Sequence, residues 1–92
     1  MAVQVTSQLC AAGVTRVYVH IDVDVFDPAG FGDALISVAG GPTLESVSAA
    51  IRLLVDAFEV VGVGVVESCG RVPGAAATLT EFLVDSNLWP AD

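Results

Sequence analysis

The segment His20–Pro28, with the sequence HIDVDVFDP, holds three carboxylates and the chain's single histidine within nine residues. It overlaps the end of Arg16–Ile21, which is rich in β-branched and aromatic side chains and therefore predicts a strand. Because side chains alternate along a strand, we expect His20, Asp22 and Asp24 to project to the same side. Neighbouring carboxylates repel each other and lose solvation on burial, and a polyvalent cation relieves both costs. Carboxylates together with imidazole suit Mn, Mg, Zn or Fe, and carboxylate-rich sites favour the harder ions.

A fourth carboxylate, Glu67, follows Val60–Val66, a run made only of valine and glycine. This run predicts a second strand that is apolar on both faces, as is typical of parallel sheets that helices cover on both sides. A helix is predicted between the two strands, because Thr43 can cap it and apolar side chains then recur at three- and four-residue spacing. A strand, a helix and a second strand form a parallel unit in which both carboxyl ends lie at one edge. We therefore expect Glu67 to come near Asp22 and Asp24, at the edge where open α/β sheets bind ligands.

Each of these residues also has a purely structural interpretation. Acidic residues at strand ends and before proline, as in Asp27–Pro28, are common turn formers. His20 can equally be a hydrogen-bonded core histidine, and Glu67 can point into solvent. The expected meeting of these side chains at one sheet edge is what favours a metal site.

The remaining segments complete an α/β pattern. Residues 2–12 suit a short helix ended by Gly13, residues 22–42 a loop, residues 43–58 the crossover helix and residues 75–83 a final helix. We expect part of a three-layer α/β/α parallel sheet, with residues 1–92 forming a single partial domain. Two strands alone do not make a stable sheet, so further strands must come from elsewhere.

Composition restricts the possible partners. The net charge is −8, with three arginines and no lysine, which excludes a basic nucleic-acid-binding face. No apolar run approaches the roughly 18 residues of a bilayer span, and no secretory signal is visible, so we expect a cytoplasmic protein. Cys10 and Cys69 show no paired metal-ligand spacing and are interpreted as buried thiols. With 54% hydrophobic residues, the chain is expected to pack against copies of itself or against the rest of a larger domain.

Three segments resemble the ureohydrolases, the arginase and agmatinase superfamily. His20–Pro28 resembles the family's second aspartate signature, in which Ser or His precedes Asp-x-Asp-x-x-Asp-Pro. Gly40–Leu44 resembles the Gly-Gly-Leu-Thr segment that opens the following helix, although Pro42 stands in place of the leucine. Val65–Glu67 resembles the family's strand-ending glutamate. The segments occur in the family's order, and the resemblance covers about residues 15–85.

The resemblance implies a binuclear manganese hydrolase that cleaves the C–N bond of an arginine- or agmatine-like guanidino compound and releases urea. By position, Asp22 would bridge the two Mn²⁺ ions and Asp24 would bind one of them. Glu67 would face and orient the guanidinium group of the substrate. Asp27 and His20 are expected to support the ligands without binding metal.

The family's other ligands, a histidine and an Asp-x-His-x-Asp cluster, belong to its N-terminal half. Nothing upstream of Val14 supplies such a cluster. We therefore expect this chain to be the C-terminal portion of an arginase-like domain, with an incomplete site and no activity by itself. The alternative is a non-catalytic remnant that binds metal or mediates subunit interaction. A receiver-like phosphorylatable domain is disfavoured, because it would need a lysine near the pocket.

Overall fold

The computed structural model describes residues 2–34 and 39–90, so residues 35–38 of the predicted loop lie outside the described residues. The predicted helices and strands are all present, with ends within two residues of the prediction. In chain order they are helix α1 (Ala2–Ala11), strand β1 (Arg16–Asp22), a 3-10 turn (Val23–Val25), helix α2 (Leu44–Ala57), strand β2 (Glu59–Val66) and helix α3 (Ala75–Asp85). The α/β class is thereby confirmed.

Strands β1 and β2 pair in parallel, from Arg16 opposite Glu59 to Asp22 opposite Val66. Helix α2 provides the crossover, as predicted for a strand–helix–strand unit. Within the described ranges the sheet consists of these two strands alone. In this register Asp22 and Val66, the last residues of the two strands, lie side by side. The candidate site lies at this end of the sheet.

Helix α2 begins and ends as its sequence predicts. The Thr43 hydroxyl oxygen accepts a hydrogen bond of 3.1 Å from the backbone N–H of Ser46, which satisfies one of the free N–H groups of the first turn. The Phe58 N–H closes the helix on the carbonyl of Leu54 at 2.9 Å. Ile51 on its inner face is buried in the core.

The two faces of the sheet differ in their cover. Val19 and Ile21 of β1 are buried in the core with Ile51 of α2. On the other face, Tyr18 is 60% exposed, and its ring lies over Gly62 and Gly64 of β2.

Strand β2 is apolar from Val60 to Val66, but the described residues do not cover it on both faces. Its residues from Gly62 to Val66 are only half-buried, and Val61 is 56% exposed. The reason is that the described elements cover the sheet chiefly on the Val19 side, which leaves the Tyr18 side open.

The interpretation of the two cysteines as buried thiols is also wrong, because Cys10 and Cys69 are both exposed. Cys10 lies on α1, whose Val3 and Val5 are exposed as well. Cys69 lies in the loop after β2. None of the helices in the described ranges combines the length and hydrophobicity needed to cross a bilayer.

Candidate metal centre at the strand ends

Strand β1 stops at Asp22, and Val23–Val25 form a 3-10 turn. The side-chain alternation expected to place Asp22 and Asp24 on one side of a strand therefore does not extend to Asp24. The turn forms because Val23 and Phe26, three residues apart, both enter the core, where they are 0% and 1% exposed. A 3-10 turn brings residues at this spacing to the same side, whereas a strand would separate them.

The two aspartates are linked through the backbone of this turn. The backbone N–H of Asp24 donates to Oδ1 of Asp22 at 3.0 Å, so Asp22 caps the turn that carries Asp24. Oδ1 of Asp24 is buried and has no hydrogen-bond partner among residues 2–34 and 39–90. A buried carboxylate oxygen without a partner is costly, and a bound cation would remove that cost. The chemistry of these two side chains fits a hard divalent cation.

Phe26 anchors the turn to the rest of the molecule. Its ring meets Phe31 edge-on, with centroids 6.1 Å apart, and Phe82 of α3 edge-on at 5.4 Å. Such pairs contribute about 0.5–1.5 kcal/mol each beyond the area they bury. Helix α3 thus holds the aspartate turn in place from the core side.

Asp27 ties the turn to the start of the crossover helix. Its Oδ1 accepts from the N–H of Ala29 at 2.9 Å, and its Oδ2 accepts from the N–H of Gly40 at 2.8 Å. These two backbone donors, with Ala29 the stronger, hold the pKa of the Asp27 carboxyl below its usual range. The Asp27 N–H in turn donates to the carbonyl of Pro42 at 3.2 Å. Asp27 therefore shapes the loop through contacts with backbone groups on both sides of it.

The Gly-Gly pair packs against the aspartate signature, and this contact requires a glycine at position 41. A Cβ at this position would collide with the carbonyl oxygen of Val25 and lie 3.1 Å from the N–H nitrogen of Asp27. The backbones of the two segments cross too closely for any side chain larger than hydrogen. The two motifs found in the sequence are one packed unit.

Glu67 lies directly after Val66, which is opposite Asp22 in the sheet, so the two carboxylate-bearing positions lie at the same edge. Its backbone is left-handed, with φ of 72°. For a residue other than glycine this conformation costs roughly 1–2 kcal/mol, and such positions concentrate at functional sites. The Glu67 side chain is exposed.

The candidate ligands do not form a complete site. Among residues 2–34 and 39–90, no three His, Cys, Asp or Glu side chains are grouped so that they could hold a metal ion. His20, opposite Gly64 in the register, is exposed on the open face of the sheet. The arrangement brings together Asp22 and Asp24, and it places Glu67 at the same edge.

Asp33, which no motif in the sequence marks as a site residue, is 1% exposed. Its carboxylate accepts five hydrogen bonds from the loop after β2: Ser68 Oγ at 2.6 Å, Arg71 N at 2.7 Å, Gly70 N and Val72 N at 2.9 Å, and Cys69 Sγ at 3.4 Å. The Ser68 hydroxyl and then the backbone donors, Val72 first, hold the pKa of Asp33 far below its usual range. Its partners lie 35 to 39 positions away, and no local spacing signal connects them.

Comparison with known proteins gives a match to one family profile and to several solved structures. The sequence profile of the arginase family matches residues 2–73. Comparison with curated protein sequences gives no match.

Solved structures with the same fold include an arginase from Bacillus subtilis, with 20% sequence identity and a TM-score of 0.74. A hypothetical agmatinase from Burkholderia thailandensis shares 23% identity with a TM-score of 0.71. A proclavaminate amidino hydrolase from Streptomyces clavuligerus shares 24% identity, also with a TM-score of 0.71. They cover 97%, 95% and 96% of this chain, but this chain covers only 32%, 28% and 30% of theirs. The chain thus spans about a third of the length of these structures.

Proposed function

Because the chain belongs to the arginase family, we propose that it contributes to the metal-dependent hydrolysis of a guanidino C–N bond with release of urea. The substrate class is an arginine- or agmatine-like guanidino compound. The chain would provide the C-terminal portion of an arginase-like domain. The observation that carries the proposal is the buried Oδ1 of Asp24, which lies beside Asp22 at the end of β1 and has no hydrogen-bond partner in the part of the chain that the structure describes.

Asp22 and Asp24 are the residues that would hold the metal, and Mn²⁺ is the ion proposed. When bound, manganese supplies Lewis-acid activation of water near neutral pH. Asp22 contributes in a second way, since its hydrogen bond to the Asp24 N–H fixes the backbone that carries Asp24. Asp27, through Gly40, keeps this loop against the start of α2.

Glu67 is the proposed guanidinium ligand. An exposed carboxylate can accept charge-assisted hydrogen bonds from the planar N–H groups of a guanidinium, and two parallel bonds fix its orientation. Glu67 directly follows Val66, which pairs with Asp22, so its position in the chain lies at the edge that also carries Asp22. The residue would therefore orient the substrate and not activate water.

A replacement experiment tests this proposal. The matched third of the Bacillus subtilis arginase is replaced by this chain, so that the remainder of that protein completes the fold. We expect urea release from arginine or agmatine, lost on Asp22→Ala and retained on Asp56→Ala. Asp56 is an exposed carboxylate near the end of α2, close to where β2 begins and thus at the far end of the strands. A folded, manganese-binding hybrid that releases no urea from either compound would contradict the proposal.

One observation favours the second candidate, a non-catalytic metal-binding or subunit-interaction module. An open, mainly apolar groove of about 510 Å³ lies between α1, α2 and the free edge of β1, with Val5, Leu9 and Leu54 among its lining residues. Such a surface fits a docking role as well as a missing part of the same domain. Manganese binding without urea release in the hybrid would support this candidate.

A further inference from the structure

We propose that Asp33 is the positioning residue of Glu67: it anchors the loop that follows β2 and so fixes where the Glu67 carboxylate stands. The functional meaning of this inference rests on the proposed role of Glu67 as guanidinium ligand. The structural part, that Asp33 holds Glu67 in its left-handed conformation, is independent of that role.

The first observation is the number and kind of donors that converge on Asp33. Three consecutive backbone N–H groups, from Gly70 to Val72, donate to its carboxylate together with the side chains of Ser68 and Cys69. The side chain is 1% exposed, so these bonds are shielded from competing water. Donors surround both oxygens, and an uncharged carboxamide would present an N–H group to some of them.

The second observation is that main-chain atoms next to the Asp33 side chain also contact the loop after β2. Ala34 and Ser68 form an isolated antiparallel bridge, and the Cys69 N–H donates to the Asp33 carbonyl at 3.2 Å. The loop between β1 and α2 and the loop after β2 are therefore joined at Asp33 by both side-chain and main-chain hydrogen bonds.

The third observation is the position of Glu67 between two fixed points. Val66 before it is held by the sheet opposite Asp22, and Ser68 after it is held by Asp33 at 2.6 Å. A residue other than glycine stays left-handed only where its surroundings impose that conformation. With Val66 fixed by β1, Asp33 provides the other constraint.

Nuclear magnetic resonance on the 92-residue chain tests the inference. A left-handed residue gives a strong nuclear Overhauser effect between its own amide and Hα protons, so Glu67 should show one in the native chain. We expect Asp33→Asn to weaken this signal while the resonances of β1 and α2 keep their positions. Asp27→Asn is the matched control, because it also removes the charge of a loop aspartate that binds backbone N–H groups. It should leave the Glu67 signal intact.

Agmatine titration separates a positioning role from a merely structural one. Only a change in the position of Glu67 should alter the apparent dissociation constant for agmatine. If Asp33→Asn leaves Glu67 left-handed about a tenth of the time, the apparent dissociation constant for agmatine, followed at the Glu67 amide, should rise about tenfold. Ser68→Ala, which removes one donor and keeps the carboxylate, should raise the constant less. This variant also serves if Asp33→Asn fails to fold.

The outcomes separate the two claims. An unchanged Glu67 signal in a folded Asp33→Asn chain, or in Ser68→Ala if the former does not fold, would overturn the inference. A native chain whose Glu67 signal depends on Asp33 but whose resonances ignore agmatine would support the positioning role and count against Glu67 as guanidinium ligand.

Discussion

The backbone N–H of Gly40 donates a hydrogen bond of 2.8 Å to Oδ2 of Asp27, thirteen positions earlier in the chain. This bond joins the aspartate signature to the Gly-Gly pair that precedes α2. Together with the bond from the Asp27 N–H to the Pro42 carbonyl, it makes the two motifs a single structural unit. The loop that carries the candidate ligands is therefore tied by hydrogen bonds to the segment just before α2.

Manganese should bind through the aspartate turn. Adding Mn²⁺ should broaden the amide resonances around Asp22 and Asp24, because the ion is paramagnetic. At ten times its dissociation constant it should stabilise the fold by about 1.4 kcal/mol, measured by thermal melting. The Asp22→Asn/Asp24→Asn double variant should lose both effects, and Asp56→Asn should keep them. Equal stabilisation of the native chain and the double variant would rule out these ligands.

Gly41→Ala should destabilise the chain by about 1–3 kcal/mol, measured by urea denaturation, because the new Cβ meets the Val25 carbonyl and neither backbone can move freely. Gly30→Ala is the control, since its Cβ would lie at an ordinary 3.7 Å from the nearest atom, the Asp27 carbonyl oxygen. Similar destabilisation by both substitutions would show that the close backbone crossing is not what Gly41 provides.

Acid should weaken the fold through Asp27 and Asp33. The pKa of each is lowered on folding from an ordinary value of 3.8, so each contributes stability that is fully present above that value. The contribution is lost as the pH falls below 3.8 and through the lower folded-state pKa. The melting temperature should therefore drop below about pH 4.

The Asp27→Asn/Asp33→Asn double variant should melt at a lower temperature than the native chain at pH 7, and its melting temperature should change less on acidification. A native-like acid dependence in this variant would assign the effect to other carboxylates, of which the chain has nine more.

The chain by itself should release no urea from arginine or agmatine, even with excess Mn²⁺. The described residues hold no group of three candidate ligands, and two aspartates alone cannot position a metal pair. A colorimetric urea assay on the purified chain checks this. Urea production that a chelator and Asp24→Ala both abolish would mean that the chain completes its own site.

The parts of this structure that depend on neighbouring residues could be predicted from the sequence. The Thr43 cap, the spacing of apolar residues in α2 and the valine-rich β2 are local signals, and the parallel pairing follows from their order. The 3-10 turn could not be predicted, because Val23 and Phe26 are compatible with either a strand or a turn. Their burial in the same core, which decides for the turn, depends on the tertiary packing. Asp33 could not be found, since its donors become neighbours only when two loops from different parts of the chain meet.

Tyr18 and the glycines beneath it have a consequence for how this sequence can vary. A Cβ on Gly62 would come within 2.8 Å of the Tyr18 ring, and one on Gly64 would collide with its hydroxyl oxygen. An alanine at either position becomes acceptable only when the ring is smaller or lies elsewhere. The effects of Gly62→Ala and Tyr18→Ala should therefore be non-additive, with the second substitution offsetting part of the first. In related sequences, the residues at positions 18, 62 and 64 should change together as one coupled set.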